Sequence, residues 1–169
     1  MEREKTLLNA VLVLPVNKEA KKVLLALKSR KIGAGCWNGY GGGIKKDESP
    51  KRAAVRELKE ESGLIVAFRN LSKAAIVSFR NTKKDGSTFI CKVHVYFAYQ
   101  WSGKIKETSE MKSPTWFDIS ALPLNKMMPS DRKWLPVVLD GKKIIATASY
   151  GPFQKNLIGK VAIREVKEL

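Results

Sequence analysis

The chain has 169 residues, of which 44% are hydrophobic and 28% charged, enough for one packed domain and short for two. That balance excludes a disordered chain, a collagen-like repeat and a small disulfide scaffold, and two cysteines, Cys36 and Cys91, cannot build a four-thiolate metal site. Thirty-two Lys and Arg against sixteen Asp and Glu give a net charge of +16, a field that attracts polyanions. The basic residues are nevertheless dispersed among acids and turn formers, as in KKDESPKR, RNTKKDG and LDGKK. A small phosphate-rich ligand fits this dispersion better than a stable nucleic-acid complex.

The opening MEREKTLLNAVLVLPV holds an apolar run too short to span a bilayer and shows no small-residue cleavage pattern. A reduced, cytoplasmic, monomeric chain without membrane contact is therefore expected, as one domain over residues 1–169. Residues 7–16 and 23–28 read as a strand pair separated by the polar NKEAKK. Six glycines then fall within residues 33–43, which predicts a loop or irregular strand with close backbone approaches. A helix follows, with Ser49 as N-cap, Pro50 in the first turn and Gly63 as the left-handed stop.

Extended segments are expected next over 64–71, 73–79 and 87–101, with a polar hairpin connection at 81–86 between the last two. PTWFD at 114–118 reads as a short strand. Residues 131–139 read as a second helix, with Trp134, Val137 and Val138 inward and Pro136 disturbing its geometry. A strand hairpin over 142–166 closes the chain. The mixed pattern predicts an α/β domain with few helices, without the regular alternation of a doubly wound fold or barrel.

The first helix carries the chemistry. Residues advance about 100° each, so Glu61 lies about 40° to one side of Glu57 and Glu60 about 60° to the other. Three carboxylates on one surface repel one another unless cations intervene. Arg56 can pair with Glu60, and Glu48 at the helix entrance can pair with Arg56 and lock the loop to the helix. Hard Mg2+, or Mn2+ in its place, suits such oxygen ligands, and a backbone carbonyl among Gly41, Gly42 and Gly43 can complete its sphere. His94 is the only histidine, which excludes a histidine-rich metal site, and nothing around it suggests a Ser–His–Asp arrangement.

Gly42, five residues, Glu48, seven residues, then Arg56-Glu57-Leu58-Lys59-Glu60-Glu61-Ser62-Gly63-Leu64 resembles the complete Nudix box. The segments GAGCWNGYGG, VHVYF, SEMKSPTWF, MMPSDRKWLPVVL and REV resemble the branch of that family that acts on oxidised purine nucleoside triphosphates. The resemblance implies an α/β/α sandwich with a mixed, curved sheet. It also implies metal-dependent hydrolysis of a nucleoside triphosphate such as 8-oxo-dGTP or 2-OH-dATP to the monophosphate and pyrophosphate, which would cleanse the nucleotide pool. By the same resemblance Glu57, Glu60, Glu61 and the Gly42 carbonyl hold the metal, Glu110 joins them from a distant loop, and Glu61 or Glu110 takes the proton from water. Asn9, Asn38, Met128, Asp131 and Trp134 correspond to the base pocket.

The chain departs from that branch at Met128, where an aromatic residue is usual, at Ser130 for an aspartate, and at Ile32 for a phenylalanine. These departures touch the pocket and leave the carboxylate motif intact. The alternatives are hydrolysis of another nucleoside diphosphate derivative or an RNA cap, and a noncatalytic nucleic-acid-binding module.

Overall fold

The structure, a computed structural model, describes residues 6–169. Residues 1–5, which the sequence reading includes in the single domain, lie outside the described residues. Among the described residues nine strands form one mixed sheet, interrupted by two α-helices. β1 (Asn9–Asn17) and β2 (Lys22–Lys28) are followed by the short β3 (Trp37–Asn38) and β4 (Tyr40–Gly43), then α1 (Pro50–Ser62). β5 (Leu71–Thr82), β6 (Thr88–Ala98) and β7 (Met111–Asp118) precede α2 (Asp131–Leu139), and β8 (Lys143–Tyr150) and β9 (Leu157–Val166) end the fold.

The strand order is β3-β2-β1-β6-β5-β8-β9, with β4 beside β1 and β7 beside β2. β1 runs parallel to β6, and β5 parallel to β8, while the other pairings are antiparallel. β1 forks: Ala10–Val13 pair with β4, and only Val16 and Asn17 pair with β2.

Alternation along β1 feeds two cores. Val11 and Val13 pack with Ala53, Ala54 and Leu58 of α1, and Leu14 and Val16 pack with Trp134, Leu135 and Val138 of α2. The helices therefore cover opposite faces, and the predicted sandwich is observed. On α2 the buried apolar residues are Trp134, Leu135 and Val138, whereas Val137 is only partly covered.

The segment 64–71 is a strand only from Leu71. Leu64 and Val66 are buried, but Ile65 makes one isolated bridge to Ser102 and Phe68–Asn70 is a 3-10 turn. The apolar alternation there reflects burial without a partner strand. PTWFD, conversely, is the end of the eight-residue β7, paired with β2.

Both ends of α1 agree with the sequence. Ser49 Oγ accepts the Arg52 N–H at 3.2 Å, and Gly63 sits at φ 80° with its N–H donating to the Lys59 carbonyl. A Cβ on Gly63 would lie 2.7 Å from the Lys104 carbonyl oxygen. Gly63→Ala is therefore expected to cost at least about 1–2 kcal/mol, from left-handed backbone strain plus that clash. Chemical denaturation of the two proteins checks it, and equal midpoints would contradict it.

Candidate active site

Arg56 organises the carboxylate helix. Its Nε and Nη2 donate to the two oxygens of Glu48 at 2.8 Å each, Nη1 donates to Glu57 at 2.8 Å and Glu60 at 3.4 Å, and Nη2 also donates to the Gly43 carbonyl at 3.0 Å. The loop is thereby tied to the helix, as the sequence reading expected. The guanidinium bonds hold the Glu48 carboxyl at about 2, well below the usual range.

Glu61 is differently placed. It accepts the Gly41 N–H at 3.1 Å and bonds to no arginine among the described residues. Burial pushes its pKa up to about 7, opposed by the Gly41 N–H and reinforced by the charges of Glu57 and Glu110. A Cβ on Gly42 would meet the Glu57 carboxylate at 2.5–3.0 Å, so a side chain there would push that carboxylate out of its present place. Beside Glu61 stands Tyr40, fully buried, whose hydroxyl has no partner among the described residues.

Glu110 reaches the site on the chain leading into β7. Its carboxylate accepts from Arg30 Nη2 at 2.9 Å and Lys31 Nζ at 3.2 Å, and its carbonyl accepts the Ser29 N–H at 2.9 Å. Burial pushes the Glu110 carboxyl up, but these cations outweigh it and leave the pKa below the ordinary value. Among the described residues no three His, Cys, Asp or Glu side chains converge as a ready metal cage. Arg56 engages Glu57 and Glu60, and Arg30 and Lys31 engage Glu110. The donor set still suits a hard divalent cation: all-oxygen, partly desolvated and mutually repelling.

Lys28 links this half to a second one. Burial lowers its pKa, while Glu61 and Glu110 act in the opposite direction. The Lys28 Cδ and the Met128 Sδ both flank Gly33, and the glycine loop is fastened to the Lys28 backbone by bonds from Lys28 N–H to Cys36 O and from Gly35 N–H to Lys28 O. Around Met128 lie Cys36, Phe79, Ala148 and Tyr150. Asp131 is buried nearby and its charge acts on the Cys36 thiol. Asn38 Oδ1 accepts the Gly39 N–H at 2.8 Å, which leaves its amide NH2 without a partner among the described residues.

Two expected pocket residues are placed otherwise. Trp134 is 1% exposed, so it presents no face to a ligand; it packs in the α2 core and its indole N–H donates to Asp131 Oδ1 at 3.0 Å. Asn9 alternates with Val11 and Val13, which puts it on the α1 side of the sheet, opposite Met128 and Asp131. Trp37 likewise packs edge-on against Phe117. The sequence reading passed over Tyr40 and Tyr150. Their only local signal is an aromatic residue beside glycine, and their roles depend on partners distant in the chain.

Burial raises the Asp131 pKa to about 6 from an ordinary 3.8, against hydrogen bonds from Trp134 and Ser130 that lower it. The native state therefore binds the Asp131 proton more tightly than the unfolded chain. This contribution is complete below about pH 4 and lost as pH rises through 6. Asp131→Asn keeps an acceptor for Trp134 and removes the titration. From about pH 4 to about pH 7 the original protein should lose roughly 2–3 kcal/mol relative to the variant. Parallel urea-unfolding curves for both proteins across that range would refute the burial argument.

A model described as NUDIX domain matches residues 6–138. The chain is 38% identical over 149 residues to the oxidized purine nucleoside triphosphate hydrolase of Danio rerio, covering 88% of this chain and 90% of the relative. It is 39% identical over 125 residues to the protein of that name in Mus musculus, covering 74% and 76%. Among solved structures, a MutT protein from Bacillus halodurans shares the fold with a TM-score of 0.76 at 22% identity, over 93% of this chain and 97% of that one.

Proposed function

The chain belongs to the NUDIX domain family, and on that premise we propose that it hydrolyses an oxidised or otherwise modified purine nucleoside triphosphate, such as 8-oxo-dGTP or 2-OH-dATP, to the monophosphate and pyrophosphate. Nudix hydrolases use divalent metals, and Mg2+ is the ion we assign here, with Mn2+ as substitute. The observation that carries the reading is the pairing of Glu57 and Glu61 against the Gly41–Gly42 backbone, within a chain similar to the purine enzymes over most of its length.

In this reading Glu57, Glu60, Glu61 and the Gly42 carbonyl hold the metal, with Glu110 contributing from its loop. When bound, the ion neutralises polyphosphate charge and acidifies an attacking water. Proton acceptance is better supported at Glu61 than at Glu110, because Arg30 and Lys31 already occupy the Glu110 carboxylate. Lys28, desolvated between the two halves, is suited to a phosphate oxygen, whereas Lys45 and Lys46 are exposed. Asn38 and Asp131 supply the polar part of the base pocket and Met128 its apolar cover. A pyrimidine would leave some of that buried polar surface unpaired, at a cost of about 1–3 kcal/mol per group.

Glu61→Gln preserves an acceptor for the Gly41 N–H and removes the anion. Turnover of a purine triphosphate panel with saturating Mg2+ should fall more than roughly 100-fold. Thermal stability of the metal-free protein should hold or rise, since a buried charge is relieved. Near-normal turnover would remove Glu61 from the centre of the mechanism. Absence of monophosphate from every nucleotide tested with the unaltered, folded protein would overturn the hydrolase reading itself.

A further inference from the structure

Ser130 stands where a serine ordinarily caps a helix, yet it makes no capping bond to α2 and has a helical backbone itself. Its groups go elsewhere. The Ser130 N–H donates to the Tyr150 hydroxyl at 2.8 Å, that hydroxyl donates to Ser130 Oγ at 2.7 Å, and Ser130 Oγ donates to Asp131 Oδ1 at 3.3 Å. The Trp134 indole N–H reaches the same Oδ1. All four residues are buried, and Tyr150 arrives from β8, on the far side of the chain from the catalytic motif. Two donors, the Ser130 hydroxyl and the Trp134 indole N–H, converge on Oδ1, and the Tyr150 hydroxyl backs the first of them. Oδ2 has no protein partner among the described residues and keeps a little accessible surface.

We infer that Tyr150 and Ser130 are positioning residues for base recognition: their hydroxyl chain, together with Trp134, saturates Oδ1 of Asp131, so that Oδ2 alone meets the purine edge. With Oδ1 committed as an acceptor, any proton on Asp131 resides on Oδ2. The hydroxyl chain therefore fixes which carboxyl oxygen is presented and in what orientation. The titratable and charged groups facing it are the Cys36 thiol from the glycine loop, Tyr150 from β8 and Arg132 from α2. Arg132 is held outward by its bonds to the Met127 and Asn125 carbonyls. This inference rests on the purine-pocket reading given above.

The test compares Tyr150→Phe, Ser130→Ala and the double variant with the unaltered protein. Oxidised-purine and pyrimidine triphosphates serve as substrates, and carbon-13 NMR follows the Asp131 carboxyl in metal-free protein. Each single variant removes a donor directly or indirectly serving Oδ1. The Asp131 titration should therefore move to higher pH, and KM for the purine should rise about fivefold with kcat little changed. Pyrimidine turnover should be unaffected. If the hydroxyls act as one chain, the double variant should match Ser130→Ala rather than the product of the single effects. An unmoved Asp131 titration, equal losses for purine and pyrimidine, or multiplicative effects would overturn the inference. If the unaltered protein shows no purine preference while the carboxyl titration still moves in the variants, the pocket reading fails and the base-reading role falls with it.

Discussion

The carboxylate site depends on one guanidinium. Five carboxylate and carbonyl oxygens surround Arg56, matching the five N–H groups that an arginine carries in a rigid fork. A lysine, with a single nitrogen, could not reach Glu48 bidentately and Gly43, Glu57 and Glu60 as well. Side-chain exposure of 20% for Arg56 and 14% for Glu48 puts their pair in partly desolvated surroundings, where removing one partner of an ion pair costs far more than at the surface. The arrangement also divides the carboxylates by role. Glu48 ties the loop to the helix, Glu57 and Glu60 are partly neutralised, and Glu61, off the fork, keeps only a backbone N–H among the described residues.

The fork in β1 explains how the two halves of the site come together. β3 pairs Asn38 with Ala26 of β2, and two residues later Tyr40 pairs with Val13 of β1. The segment from Trp37 to Gly43 thus crosses from one arm of the fork to the other. Asn38 is delivered to the β2 arm, where the base pocket is proposed, while the Gly41 N–H and the Gly42 backbone are delivered to α1. Lys28, at the end of β2, lies at the same crossing, fastened to the glycine loop by its backbone and influenced by both Glu61 and Glu110. On the function proposed above, this one short segment ties the recognition half to the hydrolytic half, through Asn38 on one arm and Gly41 and Gly42 on the other.

What could be read from the sequence was what is local. The bounds of α1, both its caps, and the Glu48–Arg56–Glu60 pairing follow from spacing along one helix and its entrance. The difference between Glu61 and its neighbours does not, because it arises from the N–H of Gly41, twenty residues away on a strand. Asn9 was assigned by position in the chain, but a period of two decides the face, and Val11 and Val13 fix that face only once α1 is seen to pack on it. Trp134 has the right spacing to reach Asp131 and reaches it from inside the core. Tyr150 was invisible because its hydrogen bonds close a gap of twenty residues between β8 and the start of α2.

The net charge of +16 must act differently from these buried groups. Most of the lysines are exposed, and their field is screened within about 8 Å at physiological salt. Such a field can raise the encounter rate of a polyphosphate, and it does so equally for every base attached to it. Discrimination has to come from groups that lose water when the ligand arrives, where an unmatched donor or acceptor has no alternative partner. In the proposed base pocket Asp131 and the amide of Asn38 are the groups of that kind; the surface lysines are not. Raising salt should therefore weaken capture of all triphosphates together, while the ratio between purines stays set by a few buried hydrogen bonds.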